Sequence, residues 1–219
     1  MSRAVYRSER RREQAAATRE AIVAAARALF AERGYAKTTV AEIAAAANVA
    51  VPTVYVSVGP KPAILGELRK QIPVLAGVPE DIETALAQAS DPVEVISGCI
   101  EVIRRMMETS GDLLFAIEAA APFEPIAAEA WEEGMVLHRT GWAVAVQRLA
   151  AIGALKQTLD TVKAGDVLSF LSLPSAWRML GREYGWTYDQ IETWMVESSL
   201  TLVTDPPKKP TGRNRSLRP

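Results

Sequence analysis

The chain of 219 residues is 49% hydrophobic and 23% charged, which is typical of a globular protein that folds in water and excludes a disordered or fibrous one. Its single cysteine, Cys99, excludes an internal disulfide and a thiolate metal site and favours a cytoplasmic protein, and no segment predicts a membrane partner. Residues 1–70 hold 12 Lys and Arg against 6 Asp and Glu, whereas residues 71–205 are acidic, so we expect the N-terminal part to meet a polyanion.

The first helix is predicted from near Thr18 to Arg33. Apolar residues recur there at the spacing of one helix face, and Gly34 follows the last of them, where a left-handed C-cap favours glycine. Residues 1–17 precede this helix and include several arginines. They predict a basic arm that is partly flexible.

Two short helices joined by a tight turn come next. Thr39 and Glu42 form a capping box that begins the second helix, and Asn48 lies in the turn that follows it. The third helix ends before Gly59, and a fourth begins near Lys61. A helix-turn-helix of this kind places its second short helix in the major groove of DNA.

The rest of the chain predicts further helices. Asp91 and Pro92 are typical of a helix start, and we expect this helix to reach Ser110. No alternating apolar and polar run is long enough for a sheet, so the predicted fold is all-α. Residues 206–219 predict a disordered basic tail. The other predicted helices cover residues 125–151, residues 163–184 with a break near 170–173, and residues 187–204.

An enzyme is the first alternative, and few residues support it. The chain has one histidine and none of the motifs for nucleotide, metal or nucleophile chemistry. His138 and Glu118 could form a dyad, but a lone histidine on an apolar helix face is usually a core or pocket residue. We therefore predict no catalytic residue, no metal and no cofactor.

Four motifs follow one another between Thr18 and Leu65, in the segment TREAIVAAARALFAERGYAKTTVAEIAAAANVAVPTVYVSVGPKPAIL. They are L-F-x-x-x-G-Y, T-T/S-V-x-x-I-A-x-x-A, V-x-x-x-T-V/L-Y and G-x-K-x-x-L/I-L. This order resembles the DNA-binding domain of the TetR family of one-component bacterial transcriptional regulators. SLPSAWRMLGREYGWTYDQIETWM is similar to the ending of many members. The resemblance implies a three-helix DNA-binding domain with its linking helix over residues 18–72, and a helical effector-binding and dimerisation domain over residues 73–205.

The resemblance also assigns DNA contacts. Thr39 is expected to offer its hydroxyl and its backbone amide to a phosphate, and Thr53, Tyr55 and Lys61 match the usual contacts of the family. The chain departs from the family after Tyr55, where Val56, Ser57 and Val58 stand in place of the common Tyr-His-Phe. Residues 50–58 also contain no Arg, Lys, Asn or Gln that could make bidentate contacts with bases. The predicted DNA-binding residues are Thr39, Val51, Pro52, Thr53, Tyr55, Ser57, Lys61, Arg10, Arg11 and Arg12.

The resemblance implies an effector pocket between the middle helices and a dimer interface on the last two. Glu118 interrupts an apolar segment, where it either faces solvent or meets a cation or His138. The last helix is expected to expose an apolar stripe to a partner subunit. The predicted ligand-binding residues are Met106, Phe115, Glu118, Trp131, Met135, His138, Trp142 and Trp177, and the predicted interface residues are Ile191, Trp194, Met195, Ser198 and Leu202.

The sequence therefore predicts a ligand-responsive transcriptional regulator, most simply a repressor. It would act as a homodimer on a palindromic double-stranded DNA operator and be released by a small apolar or aromatic effector. The alternative is a small-molecule-binding or enzymatic helical protein with a vestigial helix-turn-helix.

Overall fold

Four helices form the N-terminal part of the computed structural model, which describes residues 3–72, 84 and 86–205. The predicted second, third and fourth helices are confirmed, but the predicted start of the first near Thr18 is wrong. Residues 9–17 are good helix formers, so the basic arm continues the helix without an apolar face of its own. The helices are α1 (Arg3–Arg33), α2 (Val40–Ala46), α3 (Val51–Ser57) and α4 (Lys61–Arg69).

Local signals set the ends of these helices as the sequence predicts. Gly34 adopts a φ of +84° after α1, and its amide donates to the Phe30 carbonyl at 2.9 Å. Thr39 and Glu42 make both hydrogen bonds of the capping box at the start of α2. Asn48, with a φ of 55°, turns the chain from α2 into α3.

Among the described residues, five further helices follow a short helical segment at residues 86–88. The prediction that the helix beginning at Pro92 ends near Ser110 is wrong, because leucines and alanines continue it after Gly111. The predicted break near 170–173 is confirmed, since Pro174 starts a new helix. The helices are α5 (Pro92–Ala120), α6 (Pro125–Ala151), α7 (Thr161–Leu171), α8 (Pro174–Arg178, continued by a π-helical turn over Met179–Glu183) and α9 (Tyr188–Val203).

The all-α prediction is confirmed, because the described residues contain no strand and a single isolated bridge, between Leu155 and Thr204. Within the same residues no one helix is long and apolar enough to cross a membrane, and α2 with α3 reaches that length and composition only as a pair bent by 96°. The tail predicted over residues 206–219 lies outside the described part of the chain.

Two hydrophobic clusters fill the interior, and the first is shared between both halves. It joins α1 to α4 with Leu113 and Ile117 of α5 and with Ala127 and Ala130 of α6. The second cluster joins α5 to α9 around Trp142. The N-terminal helices therefore pack directly on α5 and α6, so a shift of either helix displaces the surface that supports the helix-turn-helix.

Candidate nucleic-acid interface and ligand cavity

α3 presents an uncharged surface to solvent. Val51 and Tyr55 are 38% and 51% exposed, and Pro52 is exposed beside them. Val54 is fully buried and anchors the helix on the first core. The structure thus places the predicted residues of α3 on an accessible face, with Thr53 and Ser57 half-buried at its edges.

Val56 is the most exposed residue of α3, with 89% of its surface accessible, and it is absent from the predicted contact set. It lies beside Tyr55 on the outer face. An isolated valine carries no signal in the sequence that separates a surface position from a core position. The hydrophobic surface that it offers is suited to packing on a thymine methyl group.

Arg19 holds the C-terminal end of α3 in place, a role that the sequence did not reveal. Its guanidinium donates to the Ser57 carbonyl and pairs with Glu67 of α4 at 3.0 Å. One side chain of α1 therefore contacts both α3 and α4. Arg19 therefore helps to fix the orientation of α3 relative to α1 and α4.

The Thr39 amide and hydroxyl both donate to the Glu42 carboxylate, each at 2.8 Å. The backbone hydrogen bond from Thr39 lowers the pKa of Glu42, so the carboxylate is charged. The two groups predicted to hold a phosphate thus already hold an anion. A phosphate has to share these donors or displace Glu42.

The Lys61 ammonium is committed to the protein itself. It donates to the carbonyls of Tyr35 at 2.9 Å and Thr38 at 3.0 Å, and it lies 4.1 Å from the centre of the Tyr35 ring. Burial lowers the pKa of Lys61. Its predicted phosphate contact stays a prediction, and the structure adds that Lys61 fastens α4 to the turn between α1 and α2.

The helical form of the arm limits how it meets DNA. Arg10, Arg11 and Arg12 are exposed and consecutive, so each points about 100° away from the last around the helix. An α-helix about 10 Å wide does not fit a minor groove of about 6 Å. The arm is therefore suited to phosphates flanking the site.

Polar contacts connect the helix-turn-helix to α5 and α6. The Tyr35 hydroxyl donates to Glu124 at 2.8 Å, next to the start of α6. The Arg27 guanidinium forms a bidentate pair with Asp112 of α5, at 2.7 and 2.8 Å. A Cβ at Gly66 of α4 would lie 2.8 Å from the Ile126 side chain, so glycine permits close packing there. These contacts join the DNA-facing part to the helices that surround the cavity.

An apolar cavity of about 130 Å³ lies between α5 and α6, with Pro174 of α8 at its edge. Five of the eight predicted ligand-binding residues line it: Met106, Trp131, Met135, His138 and Trp142. Residues that the sequence did not single out, among them Val102, Leu137 and Gly141, complete the wall. Ile117 and Ala130 line this cavity and also belong to the first core.

Three predicted ligand-binding residues lie elsewhere, so their assignment to the same pocket is wrong. Trp177 is 2% exposed in the second core and stacks on Tyr188, with ring centres 5.7 Å apart. Phe115 and Glu118 line a separate groove between α5, α1 and α8, which also contains Asp112 and Arg178. Burial raises the pKa of Glu118, and no contact joins it to His138. The described residues also contain no group of three or more His, Cys, Asp or Glu that could hold a metal.

A small polar network fixes two of the three aromatic side chains of the cavity wall, His138 and Trp142. His138 Nε2 lies 3.1 Å from the Ser169 carbonyl, which only accepts, so Nε2 carries the proton. The Trp142 indole donates to Ser172 Oγ at 2.8 Å, and that hydroxyl donates to the Leu168 carbonyl. α6 is therefore tied to the end of α7.

His138 is expected to titrate below the ordinary histidine value of 6.5, because burial disfavours its charged form and lowers its pKa. The unfolded chain then binds more protons in this range, so stability falls as the pH drops through 6.5. His138 is the single histidine, so one imidazole resonance in an NMR titration reports it directly. A midpoint at or above 6.5 would contradict the burial.

Part of the apolar stripe of α9 that was predicted to face a partner subunit is buried within the chain. Ile191 and Met195 are 1% and 0% exposed and pack in the second core, so their assignment to an interface is wrong. Trp194 and Leu202 remain exposed, and Ser198 is half-buried. The stripe has the predicted spacing, but the helices α5, α7 and α8 of the same chain cover half of it.

Residues 22–67, which include the C-terminal part of α1 and most of α4, match the family described as bacterial regulatory proteins, tetR family. This stretch is therefore a helix-turn-helix domain of the TetR type. No curated protein matches the chain.

Solved structures share the fold over most of this chain. SmeT in complex with triclosan is 20% identical with a TM-score of 0.63, covering 87% of this chain and 93% of that chain. NalD, the secondary repressor of a multidrug efflux pump in Pseudomonas aeruginosa, is 22% identical with a TM-score of 0.63, covering 88% and 98%. A HlyIIR mutant is 19% identical with a TM-score of 0.65, covering 90% and 100%. The N-terminal TetR helix-turn-helix and the helical C-terminal part together are the architecture of TetR regulators.

Proposed function

We propose that the protein is a repressor that binds a palindromic operator as a homodimer and leaves it when a small apolar or aromatic effector enters the cavity. The observation that carries this proposal is the wall shared by Ile117 and Ala130, which touch the cavity on one side and the first core on the other. A molecule that spreads α5 from α6 moves the surface on which the helix-turn-helix rests.

The mechanism is a shift between two conformations of the dimer. An effector moves this equilibrium only through its different affinity for the two states, and a change from 1:99 to 99:1 needs about 5.5 kcal/mol of preference. The contacts from Tyr35 to Glu124 and from Arg27 to Asp112 couple the cavity helices to α1 and to the α1–α2 turn. The complexes of SmeT with triclosan support a small aromatic effector by analogy of fold.

Salt-dependent DNA binding tests the proposal. Fluorescence anisotropy with DNA from the region upstream of the gene should give a higher affinity than scrambled DNA. This affinity should fall as the salt concentration rises, because the arm and the rest of the basic N-terminal part meet phosphates. A protein with no affinity for that region at low salt would favour the alternative, a ligand-binding protein with a vestigial helix-turn-helix.

The dimer interface is placed by this proposal on α7 and α9. Val162 and Phe170 on α7 are 72% and 71% exposed, and Trp194 and Leu202 are exposed on α9. Large apolar side chains in such numbers on adjacent helices are typical of a contact surface.

Phe170→Glu is expected to convert the dimer to a monomer, because it places a charge within this apolar surface. Light scattering at micromolar concentration measures the mass of both proteins. Phe123→Glu is the matched control, since Phe123 is 76% exposed at the turn between α5 and α6. A wild-type monomer, or a Phe170→Glu dimer, would reject this interface.

A further inference from the structure

The cavity wall selects against charge. Among the described residues, none that lines it is Asp, Glu, Lys or Arg, and the indoles of Trp131 and Trp142 form part of it. Cys99 contributes a thiol that stays protonated, since burial raises its pKa to about 12. A carboxylate or an ammonium group would lose its hydration here, and no described lining residue offers an opposite charge to compensate.

The size of the cavity limits the effector further. A cavity of about 130 Å³ is close to the engineered cavities of about 150 Å³ that hold benzene. One six-membered ring therefore fits without rearrangement. Flat rings also suit a wall that includes two indoles and the thioethers of Met106 and Met135.

His138 is the lining side chain that offers a nitrogen acceptor. Its Nε2 proton is directed to Ser169, so Nδ1 carries the free lone pair. Within the described residues Nδ1 has no hydrogen-bond partner, whereas the Ser172 hydroxyl is occupied by Trp142 and Leu168. The ring thus presents one unsatisfied acceptor at an apolar site.

We infer that the effector is a neutral, single-ring aromatic molecule with a hydroxyl group, which donates its proton to His138 Nδ1. This inference rests on the proposed effector site and names the ligand class for it. The apolar wall supplies affinity, and the hydrogen bond supplies discrimination. An aromatic ring without a donor leaves the acceptor unpaired at the apolar wall.

Phenol and toluene test the inference, because they have the same number of heavy atoms and differ in the hydroxyl group. Titration of the DNA-free protein at pH 7.5, followed by tryptophan fluorescence, gives the two affinities. The informative quantity is the ratio of the phenol affinity to the toluene affinity, since it cancels losses of packing common to both probes.

His138→Leu removes the acceptor with little change of volume, and His138→Asn keeps an oxygen acceptor near the position of Nδ1. The phenol-to-toluene ratio should fall about fivefold to tenfold in His138→Leu and recover at least in part in His138→Asn. Unchanged toluene binding shows that the cavity of His138→Leu is intact.

A ratio that is the same in wild type and in His138→Leu would overturn the inference, and so would a wild-type protein that binds neither probe. DNA binding separates this result from the proposed function. A protein that binds phenol through His138 but has no affinity for DNA rejects the regulator and keeps the ligand assignment. A protein that binds DNA and ignores phenol does the opposite.

Discussion

Replacing Trp142 by alanine is expected to lower the free energy of unfolding by about 3–5 kcal/mol. Trp142 is 2% exposed and is the largest fully buried side chain of the described residues. Its indole also donates to Ser172 Oγ at 2.8 Å, which ties α6 to α7. Alanine enlarges the cavity beside this ring, and the second core is already tightly shared by five helices, so it does not collapse to fill the space.

Urea denaturation followed by circular dichroism measures this loss. Phe123→Ala is the matched control, since it removes an aromatic ring that is 76% exposed and should change stability by no more than about 0.5 kcal/mol. Trp142→Phe keeps most of the packing and isolates the smaller effect of the missing indole donor. Equal losses in Trp142→Ala and Phe123→Ala would contradict the burial of Trp142.

Val56→Asp is expected to weaken operator binding about 100-fold or more. The residue is 89% exposed on α3, so a carboxylate there would face the phosphates and bases of an operator bound to this helix as proposed. Like charges brought together at an interface cost several kcal/mol, which corresponds to this loss. The fold should be unaffected, because only about a tenth of the Val56 surface is covered.

Two variants make the measurement specific. Val136→Asp places the same charge at a valine that is 53% exposed on α6, far along the chain from α3, and should leave DNA affinity nearly unchanged. Val56→Thr keeps the shape and should change affinity by less than about threefold, a small change on the scale of a single base contact. Equal affinities for Val56→Asp and wild type would show that α3 is not the helix that enters the groove.

The helix-turn-helix was predictable because its signals are local. The capping box of Thr39 and Glu42, Gly34 after α1 and Asn48 before α3 each restrict the backbone within a few residues. The start of α1 was not predicted correctly, because no such local signal marks it. Residues 9–17 have high helix propensity and no apolar face, so periodicity does not report them.

The site was less predictable, because it depends on which elements meet. The apolar spacing of α9 was correct, but nothing near Ile191 or Met195 in sequence says that the same chain covers them. Lys61 reaches the carbonyls of Tyr35 and Thr38 only because the turn after α1 folds back over α4. Trp177 and Trp131 both lie in helices, and their local sequence does not distinguish them. Long-range packing decides that Trp177 is buried in the core and that Trp131 lines the cavity.

Ile117 and Ala130 line the cavity and also belong to the first core. Different parts of the cavity wall therefore tolerate substitution during evolution to different degrees. On the wall shared with the first core, a substitution that adapts the cavity to a new molecule also alters the resting balance between the two conformations. Farther along α6, Met135, Leu137 and His138 line the cavity but belong to neither core cluster, so changes there should alter recognition with less effect on that balance. Related regulators that acquire new inducers should therefore vary first along that part of α6, while the side facing α4 stays nearly constant in volume.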